Sequence, residues 1–489
     1  MNRYMTREIA RRGRDHLMVL LCAGALMSSG PVAAQSWSER HLDRPLSFDE
    51  LREDLKTEAA RQDTKRLEEL IAEGQRLFEA RFIRAEGAGR PMATQAIVPT
   101  RRKRPAETTF NRLPGPDASA CSGCHNQPVT GGAGDFVANV FVSEGFESAD
   151  FDTTDPQFSN ERGTNILQGA GLVELLAREM TVELQGQRRD ALRQARQSGE
   201  PVTVALSTKD VAFGKLTAHP DGTLDVTAID GIDPDLVLRP FSQKGVFASL
   251  RQFTVNALNV HHGIQATERF GAQWTGSSDF DMDGVPDEID TGHVSALVAF
   301  QAALPAPGRR RDLPDDWSVA AAEGEKAFAD IGCVSCHRPA LPLESLAFSD
   351  PGPFEGAGTL RAQDVSDPLV LNLAALDWVK RLPRDDKGRV LVPLFGDLKR
   401  HRIADAQTDE LGNELLGQRF VDRDVFITAE LWGVGNTAPY GHRGDITTLN
   451  EVILAHGGRA ARVRDAYAAL PEVQQQSIIA FLRTLEVAK

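Results

Sequence analysis

The chain has 489 residues, 41% of them hydrophobic and 25% charged, and a formal charge of −14 at pH 7. That composition builds ordinary buried cores, suits two domains by its length, and excludes a disordered or fibrous chain. The acidic balance argues against nucleic acid as a partner.

Residues 1–34 stand apart. Arg3, Arg7, Arg11, Arg12 and Arg14 lead into an apolar run, Leu17 to Met27, and then into Val32-Ala33-Ala34. This is the pattern of a secretory signal peptide cleaved after Ala34, and the run is too short for a membrane span. Leu21 precedes Cys22 where a lipoprotein signal needs a small residue, which argues against lipidation. Export to the periplasm is expected, and loss of five arginines and two acidic residues with the leader takes the charge to about −17.

The first half begins with a helical pattern carrying Glu73-Gly74-Gln75-Arg76-Leu77-Phe78. The basic run Arg101-Arg102-Lys103-Arg104 is either a solvated loop or a docking point for an acidic redox partner. Next comes Cys121-Ser122-Gly123-Cys124-His125. Strand-like stretches from Val202 to Ile232, with the turn His219-Pro220-Asp221-Gly222, predict a small β insertion. After His261-His262 the run from Asp279 to Asp290 fits a twelve-residue calcium loop. Asp279, Asp281, Asp283, Asp287 and Asp290 supply carboxylates at the expected spacing, Gly284 the turn and Val285 a backbone carbonyl. A helix from Val294 to Leu304 closes the half.

Residues 306–316, rich in Pro, Asp and Arg, read as a linker. Beyond it the order repeats: Glu323-Gly324-Glu325-Lys326-Ala327-Phe328, then Cys333-Val334-Ser335-Cys336-His337, then a closing helix from Val473 to Leu485. The closing helices share Ala299-Phe300 to Leu304 and Ala480-Phe481 to Leu485. A small glycine on each opening helix lets a crossing helix approach closely, with the aromatic residues filling the contact.

Apart from Cys22, every cysteine falls in one of two C-x-x-C-H motifs, the pattern of c-type haem attachment. Two thiols three residues apart can reach both vinyl groups of one haem, and the next residue sets an imidazole beneath the iron. Zinc would use the four thiolates without needing a histidine after each pair. Disulfides leave the histidines unexplained, and a thioredoxin-like motif needs βαβ surroundings. The expectation is a mainly α protein with two cytochrome c-like haem domains, 35–305 and 317–489. The first is enlarged by the β insertion and the calcium loop. Two covalent haems and one calcium ion are the expected cofactors.

The methionines are Met1, Met5, Met18, Met27, Met92, Met180 and Met282, so the second half has none. A six-coordinate second iron would take His401, His442 or His456. The first could be closed by His261, His262 or Met180, or keep an open distal face.

The stretch from Leu431 to Leu449, with Pro439-Tyr440-Gly441-His442-Arg443-Gly444 and Thr448-Leu449, resembles the C-terminal signature of the bacterial dihaem cytochrome c peroxidase superfamily. Phe110-Asn111-Arg112, Asn160 to Asn165, Gly169 to Glu174 and Asp397 to His401 extend the likeness over most of the chain, nearest to the di-haem oxidoreductase branch. The superfamily's axial methionine falls on His456, an exchange similar to that in rubber oxygenase. Gly441-His442-Arg443 stands where the peroxidases have Phe-His-Asp. No tryptophan stands at their inter-haem position, for which Trp432 is the substitute. The resemblance implies that His456 closes the second haem, which relays electrons from a small periplasmic electron-transfer protein. It places Arg162 and Glu174 by a reactive first haem acting on peroxide or dioxygen. The competing expectations are a non-catalytic electron carrier with both irons closed, in which those two residues merely pair or cap helices, and a dihaem oxygenase.

Overall fold

Two helices open the frame, α1 (Phe48–Arg61) and α2 (Lys65–Glu79), with Leu51, Leu55, Leu67, Leu70, Leu77 and Phe78 turned inward at helical spacing. The computed structural model describes residues 39–61, 64–89, 120–139, 161–412 and 421–488, nearly all of them in the unit that begins at Arg40. The leader, the basic run 101–104 and Phe110-Asn111-Arg112 lie outside the described residues.

The first motif sits on a single 3-10 turn, Cys121–Gly123. Strand β1 (Gly134–Asn139) follows and pairs antiparallel with β2 (Glu161–Thr164). Helix α3 (Ala170–Ser198) then runs to the β insertion. There β3 (Val202–Thr208), β4 (Val211–Ala218) and β5 (Leu224–Asp225) form one antiparallel sheet in sequence order. Lys209 and Asp210, with φ of 47° and 61°, make the left-handed two-residue turn that suits twisted strands. Helix α4 (Leu250–Ala257) runs directly into a π-helical turn, Leu258–His262, and α5 (Thr291–Ala303) closes the half.

In the second half α6 (Asp315–Asp330) precedes the second motif, again on a 3-10 turn, Cys333–Ser335. Short strand pairs follow: Leu341–Leu343 with Val390–Val392, Ala347–Asp350 with Leu369–Asn372, and Arg400–Arg402 with Val425–Ile427. Helices α7 (Leu449–Leu454) and α8 (Glu472–Leu482) complete it. These three- and four-residue strands are too short for alternation to reveal, so a sequence expected to be mainly helical folds as a mixture of helix and strand.

The repeat seen in the sequence is a repeat of helix crossings. A Cβ at Gly74 would sit 1.9 Å from the Ala296 carbonyl oxygen on α5, and one at Gly324 would sit 1.8 Å from that of Ser477 on α8. Phe78 meets Phe300 at 5.1 Å between ring centres, and Phe328 meets Phe481 at 5.5 Å. The two cores are unequal. The larger takes in Leu172, Leu176 and Val294 together with Leu343, Phe348, Leu371 and Val392 from beyond the linker. The smaller gathers Phe328, Phe395, Tyr467, Ile478 and Phe481 around the second motif. Linker residues Gly308–Arg309 pair with Leu485–Glu486. Among the described residues no helix is long and apolar enough to cross a membrane.

Candidate functional site

The glycine crossings set each motif at the end of its opening helix, and both motifs face one cavity of ≈ 1010 Å³. Cys121, Cys124, His125, Cys333, Cys336 and His337 all line it. The two attachment sides match closely. His125 Nδ1 lies 3.2 Å from the Gly132 carbonyl oxygen and His337 Nδ1 3.2 Å from that of Phe395. A ring N–H given to a carbonyl fixes the tautomer and leaves Nε2 as the ligand atom. Each imidazole also packs against its opening-helix phenylalanine, at 6.0 Å for His125 with Phe78 and 6.3 Å for His337 with Phe328. Burial pushes both imidazoles down to about 4, with the neighbouring His456 adding to the effect at His337. Both rings are therefore neutral near pH 7, as a metal ligand must be. Burial pushes the Cys121 and Cys333 thiols up to about 12.

His456 faces His337 with ring centres 6.5 Å apart. Its Nδ1 lies 2.7 Å from the Val452 carbonyl oxygen at the end of α7, so its Nε2 is also left free. Two metal–imidazole bonds of about 2 Å each, plus the reach from ring centre to nitrogen, come close to that separation. His456, His337 and the two thiols thus fit one haem with histidine on both faces. His401 lies behind this site, its Nε2 2.8 Å from Asp397 Oδ2 and beside Cys336. Burial opposes its charge, but Asp397 and Cys336 raise it to about 9.

Across from the first motif the π-helical turn brings both candidate histidines to the cavity wall. His262 Nε2 lies 3.6 Å from Cys121 Sγ, and its ring packs on Phe82 at 6.0 Å. Burial and the charge of His125 push His261 down to about 4, and its buried Nδ1 has no hydrogen-bond partner among the described residues. Extra backbone in a π turn re-aims side chains, and here it turns consecutive histidines toward the site. Met180 is packed in the α3 core, away from the cavity lining.

Arg162 lines the cavity from β2, and burial followed by the charge of Arg443 lowers it to about 9. Next to it His442 lies 4.5 Å from the Phe426 ring, and Lys244 gives its ammonium to the carbonyls of Asp422, Arg423 and Val425. Burial and the cations Arg162, Lys244 and Arg443 push His442 down to about 3. Glu174 does not line the cavity. It is fully buried one layer behind, where it pairs with Arg178 and accepts the Leu250 N–H of α4 at 2.8 Å. Burial still raises it above the ordinary carboxylate value, against the pull of Arg178. Trp432 is buried in the wall that both motifs share and leans on Gly169, where a Cβ would sit 2.3 Å from the indole.

Sequence reasoning passed over Glu430, a cavity-lining carboxyl that burial raises to about 7. It lies outside every motif, and its only signal was its place two residues before Trp432. Also passed over was Arg251, fully buried at the start of α4, which binds Glu268, Ser295 and, across the linker, Asp350. In the acidic loop, Asp279, Asp281 and Asp283 come together, whereas Asp287 is exposed and Asp290 caps α5.

No family model matches the chain, and no curated protein does. Among solved structures it is similar to the hydrazine synthase of Kuenenia stuttgartiensis, at 12% identity and a TM-score of 0.34, over 97% of this chain and 100% of that one. It is also similar to a MauG-like protein associated with microbial copper homeostasis, at 14% identity and a TM-score of 0.26, over 55% of this chain and 78% of that one. At these scores neither likeness carries an argument about function, and the chain's own residues have to supply it.

Proposed function

We propose that the chain is an exported, periplasmic dihaem c-type cytochrome oxidoreductase of the dihaem peroxidase superfamily, peroxidase-like at its first haem. The observation that carries the proposal is the opposition of His456 and His337 at 6.5 Å over a C-x-x-C-H motif, in a cavity that the first motif shares. Cys121 with Cys124 and Cys333 with Cys336 would hold the two groups by thioethers, and His125 and His337 would offer Nε2 as iron ligands. When bound, haem c supplies one-electron transfer and, where a coordination position is open, peroxide or dioxygen chemistry. His456 closes the second site and makes it the relay for electrons from a small periplasmic electron-transfer protein. Arg162, in the wall of the shared cavity, would supply a cation to an anionic oxygen species bound at the first site. Glu174 serves from behind, fixing the first turn of α4.

One observation favours a second reading. The half-buried ring of His261, whose Nδ1 has no hydrogen-bond partner among the described residues and whose protonation the nearby His125 opposes, suits a sixth ligand. The chain would then be an electron carrier with both irons closed. Low-temperature electron paramagnetic resonance of the oxidised protein separates the two. The enzyme reading expects a high-spin ferric population and peroxide-dependent oxidation of a reduced small cytochrome; two purely low-spin signals without turnover would sink it. His456→Ala is expected to turn the second haem high-spin, and an unchanged spectrum removes His456 as a ligand.

A further inference from the structure

A stretch of the second half reaches across to the first site. After the strand Ala347–Asp350 the chain turns onto α4, and Ala357, Gly358 and Thr359 join the cavity lining with Gln252 and Phe253. Gly356 permits the approach, since a Cβ there would sit 2.7 Å from Gln252 Nε2. Glu355 lies just behind this wall. Its Oε2 accepts the Ser249 hydroxyl at 2.5 Å and its Oε1 accepts the Gly352 N–H at 3.2 Å. The Thr359 hydroxyl lies 3.5 Å from the same Oε2 and is bonded to the Gly356 carbonyl at 2.9 Å. Thr359 is buried, whereas Glu355 is half-buried between the exposed Pro353 and Ala357. Among the described residues the only carboxyl that lines the cavity is Glu430, which stands beside Gly396 next to the Phe395 carbonyl that holds His337. A proton bound for the first site therefore has to come through a hydroxyl.

We propose, on the peroxidase-like reading of the first site, that Glu355 and Thr359 pass protons from solvent into it, so that the second half supplies protons as well as electrons. Reduction of peroxide takes up two protons and two electrons, breaks the O–O bond and yields two waters. The small electron-transfer protein gives the electrons. Thr359 hands its hydroxyl proton to the departing oxygen and takes one from Glu355, which recovers it from water at the exposed edge of the loop; a second pass supplies the second proton. A hydroxyl both donates and accepts, and its proton turns to suit. Such bonds are often long before substrate binds. Four carboxyls meet here, Glu174 on α3, Glu268, Asp350 and Glu355, against two guanidiniums, Arg178 and Arg251. Burial and the charge of Glu174 raise Glu355 to about 8, so it holds a proton at pH 7 and can release it. Glu174 cannot share the role, because Arg178 and the Leu250 N–H engage both its oxygens.

The test follows the holoprotein in two ways. The first is the rate constant of its reaction with hydrogen peroxide as a function of pH. Glu355→Gln should lower it about a hundredfold at pH 7 and abolish its fall above about pH 8. Thr359→Val should lower it at least about tenfold, and Thr359→Ser should restore most of the loss. An undiminished rate in Glu355→Gln, or a Thr359→Ser protein no faster than Thr359→Val, overturns the path. The second readout needs no turnover. The visible absorption of the first haem should shift as pH passes about 8 in the native chain and stay still in Glu355→Gln, with the second haem unchanged in both. If the native chain does not reduce peroxide but this shift is present and is lost in Glu355→Gln, the peroxidase reading falls and the proton site stands. A shift that persists in Glu355→Gln, or is absent from the native chain, overturns the proton site itself. If Glu355→Gln does not fold, Glu355→Asp keeps the acid and shortens its reach: a slower reaction with a displaced titration supports the assignment, and an unchanged rate and titration overturn it.

Discussion

The two C-x-x-C-H sites are alike on one side and unlike on the other. On the attachment side, a glycine crossing, a phenylalanine and a carbonyl-bound imidazole recur with nearly the same distances. On the opposite side, the second site offers His456, held by its own short helix in a small apolar core. The first offers a π-helical turn with two histidines, backed by buried charges that tie α4 to residues beyond the linker. The motif side is thus built twice in the same way, and the two sites differ in the opposite wall.

If the first site depends on that charged backing, Arg251→Met should cause the largest loss. Removing the cation leaves Glu268 and Asp350 buried without compensation, which costs about 3–5 kcal/mol. Chemical denaturation of the full-length protein measures it. On the proposed dihaem reading, the loss should fall on the first haem's environment, with the second haem's absorption unchanged until global unfolding; equal perturbation of both bands would break the contrast between the sites.

The glycine crossings give a more symmetric test. Gly74→Ala and Gly324→Ala each drive a Cβ into a backbone carbonyl, at 1.9 and 1.8 Å, and backbone cannot step aside as a flexible side chain can. Overpacking of this kind costs about 1–3 kcal/mol, and the two losses should be similar if the repeat is a true repeat of packing. A loss confined to one glycine, read from the same denaturation curves, would show that one crossing is incidental.

The parts of this molecule legible from sequence are those written in short, local patterns. The crossings were legible because glycine and phenylalanine recur at helical spacing, and the β insertion because its strands run seven and eight residues. His456 stood out in a half without methionine, and the structure sets it opposite His337. The distal wall of the first site was harder to read. Glu174 and Arg162 came as a pair from one stretch of sequence, yet Arg162 sits on β2 and reaches the cavity, whereas Glu174 sits on α3 and backs it. Arg251 gave no signal, because a buried arginine is defined by partners 17 and 99 positions away. In the acidic loop, too, long-range partners were invisible: Asp290 accepts the Leu46 N–H from 244 positions earlier.

The last test bears on the same asymmetry through pH, as a difference between two conditions. Glu355 reaches back from beyond the linker to the start of α4, where it takes the Ser249 hydroxyl, and it accepts the Gly352 N–H at 3.2 Å. Burial, reinforced by the nearby Glu174 charge, raises it from 4.5 to about 8. An acid whose value is higher folded than unfolded binds its proton more tightly in the native state. Its contribution to stability is therefore complete below the ordinary value of 4.5 and is lost as pH rises toward about 8. Glu355→Gln carries a neutral group at every pH, so the melting temperature of the variant minus that of the native chain should rise across this window. A difference that stays flat from pH 5 to pH 8 would mean that Glu355 is already ionised in the fold, and that the charge behind the first site is balanced without a proton.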